Sequence, residues 1–137
     1  MIRRGCLVRR AVSGFVVVTL TLGATAPARA QTTALNRVMR QKLADAQGVL
    51  AAVVTSNWAE LERRSKALAA ATDDPAWMVL RTPDYTRQSE AFVRAANDLV
   101  DAAARRDQEA SPLAYVALTM RCVQCHRYVA RARIAAK

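Results

Sequence analysis

Cys122-Val123-Gln124-Cys125-His126 lies close to the C-terminal end of this 137-residue chain, and the rest of the sequence reads outward from it as a scaffold. Cys-x-x-Cys-His is the attachment signal for a c-type haem. Two thiols add to the two vinyl groups of the porphyrin, and the imidazole that follows coordinates the iron as proximal ligand. On a helix of 3.6 residues per turn, positions i, i+3 and i+4 share one face. Cys122, Cys125 and His126 can therefore meet one planar ring, and His126 is the single histidine of the chain. The competing readings are a redox dithiol, half a zinc site and a chance match. A thioredoxin-like dithiol belongs in a βαβ setting, which this alanine-rich helical sequence does not offer. Zinc needs a fourth ligand, and none from Cys or His remains once Cys6 is set aside. The motif predicts one haem c, bound covalently through Cys122 and Cys125, with His126 on the metal.

Residues 1–30 read as a signal peptide. Arg3, Arg4, Arg9 and Arg10 form a basic start, Gly14 to Ala26 is a short apolar run, and Ala28-Arg29-Ala30 is a small-x-small cleavage site before Gln31. The run falls short of the ~20 residues that a membrane span needs, so no stable membrane anchor is expected. Cys6 precedes the apolar run, where a lipoprotein cysteine would not sit, and leaves with the leader. Export to the periplasm follows, and it agrees with haem attachment outside the cytoplasm. The expected mature domain is 31–137.

Charge narrows the partners. Five of the 21 basic residues (Arg3, Arg4, Arg9, Arg10, Arg29) and none of the 11 acids fall in the leader, leaving 16 against 11, or +5. No basic stripe interleaved with aromatics occurs, so nucleic acid is not expected. A mildly basic surface suits an acidic redox partner protein. With Cys6 removed, no disulfide framework accompanies the haem site.

Four helical segments follow the leader, with almost no strand signal. The first spans about 33–54, with Leu35, Met39, Leu43, Ala46, Leu50 and Val53 as its inner stripe and Arg37, Arg40, Lys42, Asp45 and Gln47 mostly on other faces. Asn57, with Glu60 as a capping-box partner, starts a second helix near Trp58 that runs to about Ala71 with Trp58, Leu61, Ser65 and Leu68 inside. Thr72 to Arg81 is the one long connection, and its apolar Trp77, Met78, Val79 and Leu80 must cover something. Thr82-Pro83 announces the third helix, continuing through Tyr85, Phe92, Ala96, Leu99 and Ala103. Ser111-Pro112 repeats that signal for the fourth, which carries Leu113, Tyr115, Val116, Leu118, Thr119 and then the motif. No solenoid repeat or low-complexity tract is present.

Short connections favour an all-α, antiparallel up-down-up-down four-helix bundle. In that topology the first helix starts, and the fourth ends, at one pole, where the connection between helices two and three also lies. The haem therefore sits at that pole, with Met39, Trp77 and Met78 within reach. Met120, about 240° round the helix from His126, points elsewhere.

A Cys-x-x-Cys-His motif close to the C-terminus, on the last of four helices, resembles the class II cytochromes c, the cytochromes c′ and their low-spin relatives. The class I proteins carry the motif near the N-terminus. Further likenesses are Val38-Met39, Thr82-Pro83-Asp84-Tyr85 and Arg127-Tyr128 after the haem histidine. The family divides on the sixth iron ligand. The resemblance implies that Met39 falls where the low-spin relatives supply a methionine, which stabilises ferrous iron and favours electron transfer. Without it, the iron would be five-coordinate and would bind nitric oxide or CO. The bland reading of Met39 is a core residue on an apolar stripe, and Met78 is the reserve ligand. Arg127, Arg131 and Arg37 are candidates to pair with haem propionates.

The expected function is a periplasmic monohaem c-type cytochrome that transfers single electrons and is not an enzyme, with a five-coordinate gas-binding cytochrome c′ as the alternative. No paired carboxylates, Ser-His-Asp set or second metal site is visible. Class II members often pair, so a homodimer is compatible with the reading.

Overall fold

Helix starts are local events, and two of them lie where the side chains predict. In the computed structural model, which describes residues 26–135 and the side chains of residues 30–135, Asn57 Oδ1 accepts the Glu60 amide at 3.1 Å. Thr82 Oγ1 accepts the Tyr85 amide at 3.2 Å, with Pro83 at the first helical position. These caps open α2 (Trp58–Ala70) and α3 (Pro83–Arg105). They are flanked by α1 (Ala26–Val54) and α4 (Ala110–Ala135), and no strand occurs among the described residues. The fold is an all-α helical bundle. No helix among the described residues is long and apolar enough to cross a membrane.

Residues 1–25 of the expected leader, Cys6 included, lie outside the described residues. Its last part, Ala26 to Ala30, is helical and opens α1 earlier than the sequence predicts, so cleavage after Ala30 would start that helix at Gln31.

Two capping expectations need correction. Glu60 does not reach back to the Asn57 amide, which bonds Ala52 O at 2.9 Å; its carboxylate is taken by Arg63 and Arg64 instead. Helix α4 is not opened by Ser111. Asp107 Oδ1 accepts the amides of Ala110 at 2.8 Å and Glu109 at 3.1 Å, while Ser111 Oγ is buried in the first turn and donates to Asp107 O at 2.5 Å. A carboxylate that receives two free amides outcompetes a hydroxyl one turn later. Between α3 and α4, Arg106 adopts a left-handed conformation (φ 53°) that lets the chain turn.

Consecutive helices pack on each other, and α4 returns to α1 along the sparsest seam. Leu61 and Leu68 of α2, Phe92, Ala96 and Leu99 of α3, Leu118 of α4 and Val49 of α1 form the centre of the core. The stripe predicted for α1 is rotated. Leu43 and Leu50 are exposed, whereas Lys42 (6% exposed) and Asp45 (4%) are buried beside Val38, Val49 and Ala52. Partners in three dimensions explain the rotation. Asp45 receives Arg64 of α2 at 2.8 Å and Gln41 at 3.0 Å, and the Arg64 side chain crosses α1 where Gly48 leaves room for it.

The connection between α2 and α3 contains two single 3₁₀ turns, Ala71–Asp73 and Pro75–Trp77, the second capped by Asp74. As predicted, it covers the core. Trp77 is buried against Phe92 with ring centroids 5.4 Å apart, and its Nε1 donates to Ser89 at 2.9 Å. The buried Tyr85 hydroxyl donates to Trp77 O and pins the turn to the start of α3.

Candidate functional site

Helix α4 carries Cys122, Cys125 and His126 in its interior, on one side of the helix. Cys125 is buried in the bundle wall, Cys122 is half-buried one turn before it, and both are free thiols. His126 sits at a rim, largely exposed, and lines a cavity of about 270 Å³ at the α1–α4 seam. The facing wall comes from Leu35, Met39 and Lys42 of α1. Trp77 and Val79 close the cavity from the connection, and Tyr85 closes it from α3. Residues far apart in sequence, Met39 and Trp77 among them, thus line one cavity with Cys125 and His126.

Lys42, which the sequence places on an outer face, is instead part of this wall. Its Nζ lies 4.2 Å from the Phe92 ring centroid and 4.8 Å from that of Trp77, so two aromatic faces hold the ammonium. Burial pushes its pKa below the ordinary lysine value of 10.5, against the opposing pull of any negative charge on Cys122 or Cys125. Burial likewise pushes the Cys125 thiol upward, with the Lys42 charge working against it. Partial burial first, and the Lys42 charge second, hold His126 below the ordinary imidazole value. A neutral imidazole is the form that coordinates a metal.

The remaining expected residues divide. Met78 is exposed and its side chain does not line the cavity; its neighbour Val79 does. Arg127 and Arg131 are exposed and lie off the lining, whereas Arg133, further along α4, is part of it. Arg37 pairs with Asp74 at 3.3 Å beside a different groove, between α1 and α2. Met120 is exposed on the outer face of α4, as its helical angle requires.

Compared with models of known protein families, with curated proteins and with solved structures, the chain has no match. The site must speak through its own chemistry. Cys122 and Cys125 lie roughly three turns inside α4, out of reach of the N-terminal partial charge that activates a redox dithiol. Among the described residues, no three His, Cys, Asp or Glu side chains converge as metal donors.

The donor types are those that a c-type haem takes. Cys125, the His126 imidazole and the Met39 thioether line the cavity together with apolar and aromatic side chains, while the second free thiol, Cys122, lies one turn back on the same side of α4 and off the lining. At about 270 Å³ the cavity is smaller than a usual cofactor pocket, so a large planar ligand would need the lining side chains to move apart.

Proposed function

We propose that this chain is an exported, periplasmic monohaem c-type cytochrome, similar to the class II group, that carries single electrons between partner proteins. The observation that supports the reading is the placement of Met39 in the wall facing Cys125 and His126, around one largely apolar cavity. In this reading the four helices run up-down-up-down and the cavity marks the haem pole. Cys122 and Cys125 would hold the haem through thioethers, with His126 and Met39 as its iron ligands. The haem, once attached, supplies a ferric/ferrous couple.

The chain's own residues do the rest. Leu35, Val79 and Val129 give the cavity apolar walls, and Trp77 and Tyr85 fix its floor through their mutual hydrogen bond. Arg133 offers a cation to a propionate at the rim. The exposed Arg127 and Arg131 nearby make that end of α4 basic, which suits an acidic redox partner.

Expression in a host that matures c-type cytochromes tests the reading directly. The exported chain should begin at Gln31, exceed the bare polypeptide mass by one haem, and keep its Soret absorption after denaturation. A colourless product of bare mass from such a host would refute it.

A second reading, a five-coordinate protein that binds nitric oxide or CO, draws support from Lys42, a cation in the cavity wall able to donate to a bound ligand. A low-spin oxidised spectrum, together with a reduced spectrum that does not change on adding CO, would exclude it.

A further inference from the structure

Large hydrophobic side chains on the surface are unevenly shared among the helices. Among the described residues, all the exposed ones except Met78 lie on α1 or α4, and α2 and α3 expose none. On α1 they are Leu43, Leu50 and Val54, which at 100° per residue share an arc of about 40°. On α4, Leu113, Val116, Met120 and Val123 fall within about 40° of one line, on the side away from Cys125. Arg127, Arg131 and Ile134, all exposed, carry that line to the end of the helix. The two strips flank one seam. Leu43 follows Met39 by one turn and Val123 precedes His126 by one turn, and both Met39 and His126 line the cavity at the α1–α4 seam.

Charge divides along the same boundary. Ten of the 11 acids lie on α2, on α3 or in the connections on either side of α3. The eleventh, Asp45 of α1, is buried and taken by Arg64. From Gln31 onward, α1 and α4 carry seven basic residues, of which only Lys42 is buried. One side of the molecule thus offers apolar groups and arginines with no exposed acid among them, bounded by Glu109 just before α4.

We propose that this α1–α4 face docks on the surface of a bilayer that contains anionic phospholipids. In that pose Leu43, Leu50, Val116 and Met120 enter the acyl boundary, and Arg40, Arg127 and Arg131 meet the phosphates. The acids of α2 and α3 face water, where salt screens their repulsion from the lipid. Side-chain type favours lipid over protein. Protein interfaces are anchored chiefly by aromatic residues and arginine, and neither strip exposes an aromatic ring, whereas hydrocarbon takes aliphatic groups without a matching pocket. No helix among the described residues is apolar enough to cross the bilayer, so attachment through this face is peripheral, reversible and sensitive to salt. The cysteines and His126 lie off the face, so its failure to bind lipid would leave the cytochrome reading untouched.

Co-sedimentation of the purified exported chain with vesicles tests the proposal. Binding at low salt should be at least tenfold stronger to vesicles of phosphatidylcholine with phosphatidylglycerol than to phosphatidylcholine alone. Val116→Glu with Met120→Glu, and separately Leu43→Glu with Leu50→Glu, should each weaken it tenfold or more. Arg127→Gln with Arg131→Gln should remove most of the preference for anionic vesicles. The same charge change on α3, Arg87→Gln with Arg94→Gln, should leave binding within twofold of the wild type. Circular dichroism checks that each variant keeps its helices. Absence of binding to the anionic vesicles overturns the proposal, and so does binding that the glutamate variants leave intact. An equal loss in the α3 variant overturns it too, since net charge alone would then be responsible. Two further outcomes give the face another occupant and overturn it: retention on polyglutamate without vesicle binding, the mark of an acidic protein, and a dimer in sedimentation velocity that Val116→Glu with Met120→Glu dissociates while vesicles stay bare.

Discussion

Lys42 shows most sharply how a single residue is governed by its surroundings. Its ammonium sits between two aromatic faces at 4.2 and 4.8 Å, with its pKa lowered by burial. A lysine with a lowered folded pKa binds fewer protons in the fold than in the unfolded chain. Stability of the haem-free chain should therefore rise with pH between that lowered value and 10.5. Melting temperatures measured from neutral pH upward should show this slope in the wild type and lose it in Lys42→Met; an equal slope in both would refute it. Met39 is the residue on which the proposed function turns. Met39→Leu keeps volume and apolar character and should cost less than about 1.5 kcal/mol. In haem-loaded protein it should turn a low-spin iron high-spin, lower the reduction potential and open the iron to CO, while Met78→Leu should change little. An unchanged spectrum in Met39→Leu would remove Met39 from the iron.

The caps make separate predictions for the individual helices. Thr82 holds the start of α3 through the Tyr85 amide and shares a 2.7 Å hydrogen bond with the Tyr128 hydroxyl of α4. Thr82→Ala should lower stability by about 1–2 kcal/mol, read by denaturant unfolding, and Thr82→Ser should recover most of it. Asp107 plays the same part for α4, and its two amide donors, Ala110 foremost, hold its carboxyl below the ordinary value. A depressed carboxyl contributes stability that is present above its unfolded value of 3.8 and lost as pH falls through the folded one. Asp107→Asn should retain much of the cap and flatten this acid dependence. An unaltered acid limb in that variant would show that other carboxylates carry it.

Across the whole molecule, the cavity and the core share a wall. Phe92 is fully buried, stacks against Trp77 and carries the Lys42 ammonium on its face. Phe92→Ala should cost about 3–5 kcal/mol, a large part of the stability of a domain this size, measured by urea unfolding. It should also remove one of the two surfaces holding Lys42. A loss below about 1 kcal/mol would mean that the connection does not close the core as described.

Much of the fold is legible in the sequence. Helical content, the starts of α2 and α3, the buried Phe92, Ala96 and Leu99, and the shared face of Cys122, Cys125 and His126 all follow from local rules. Period, capping side chains and proline act within a few residues of themselves. What tertiary structure alone decided concerns polar side chains whose partners are distant. Lys42 and Asp45 read as solvent-facing because lysine and aspartate are costly to bury alone. Two aromatic rings from other elements and Arg64 of α2 remove that cost, and the α1 face turns to follow them. The same holds at the site. The motif announces its own chemistry, but only packing shows that Met39, Lys42 and Arg133 line its cavity while Met78, Arg127 and Arg37 do not. Helix period tells which residues share a face; which face turns inward depends on what the rest of the chain brings to meet it.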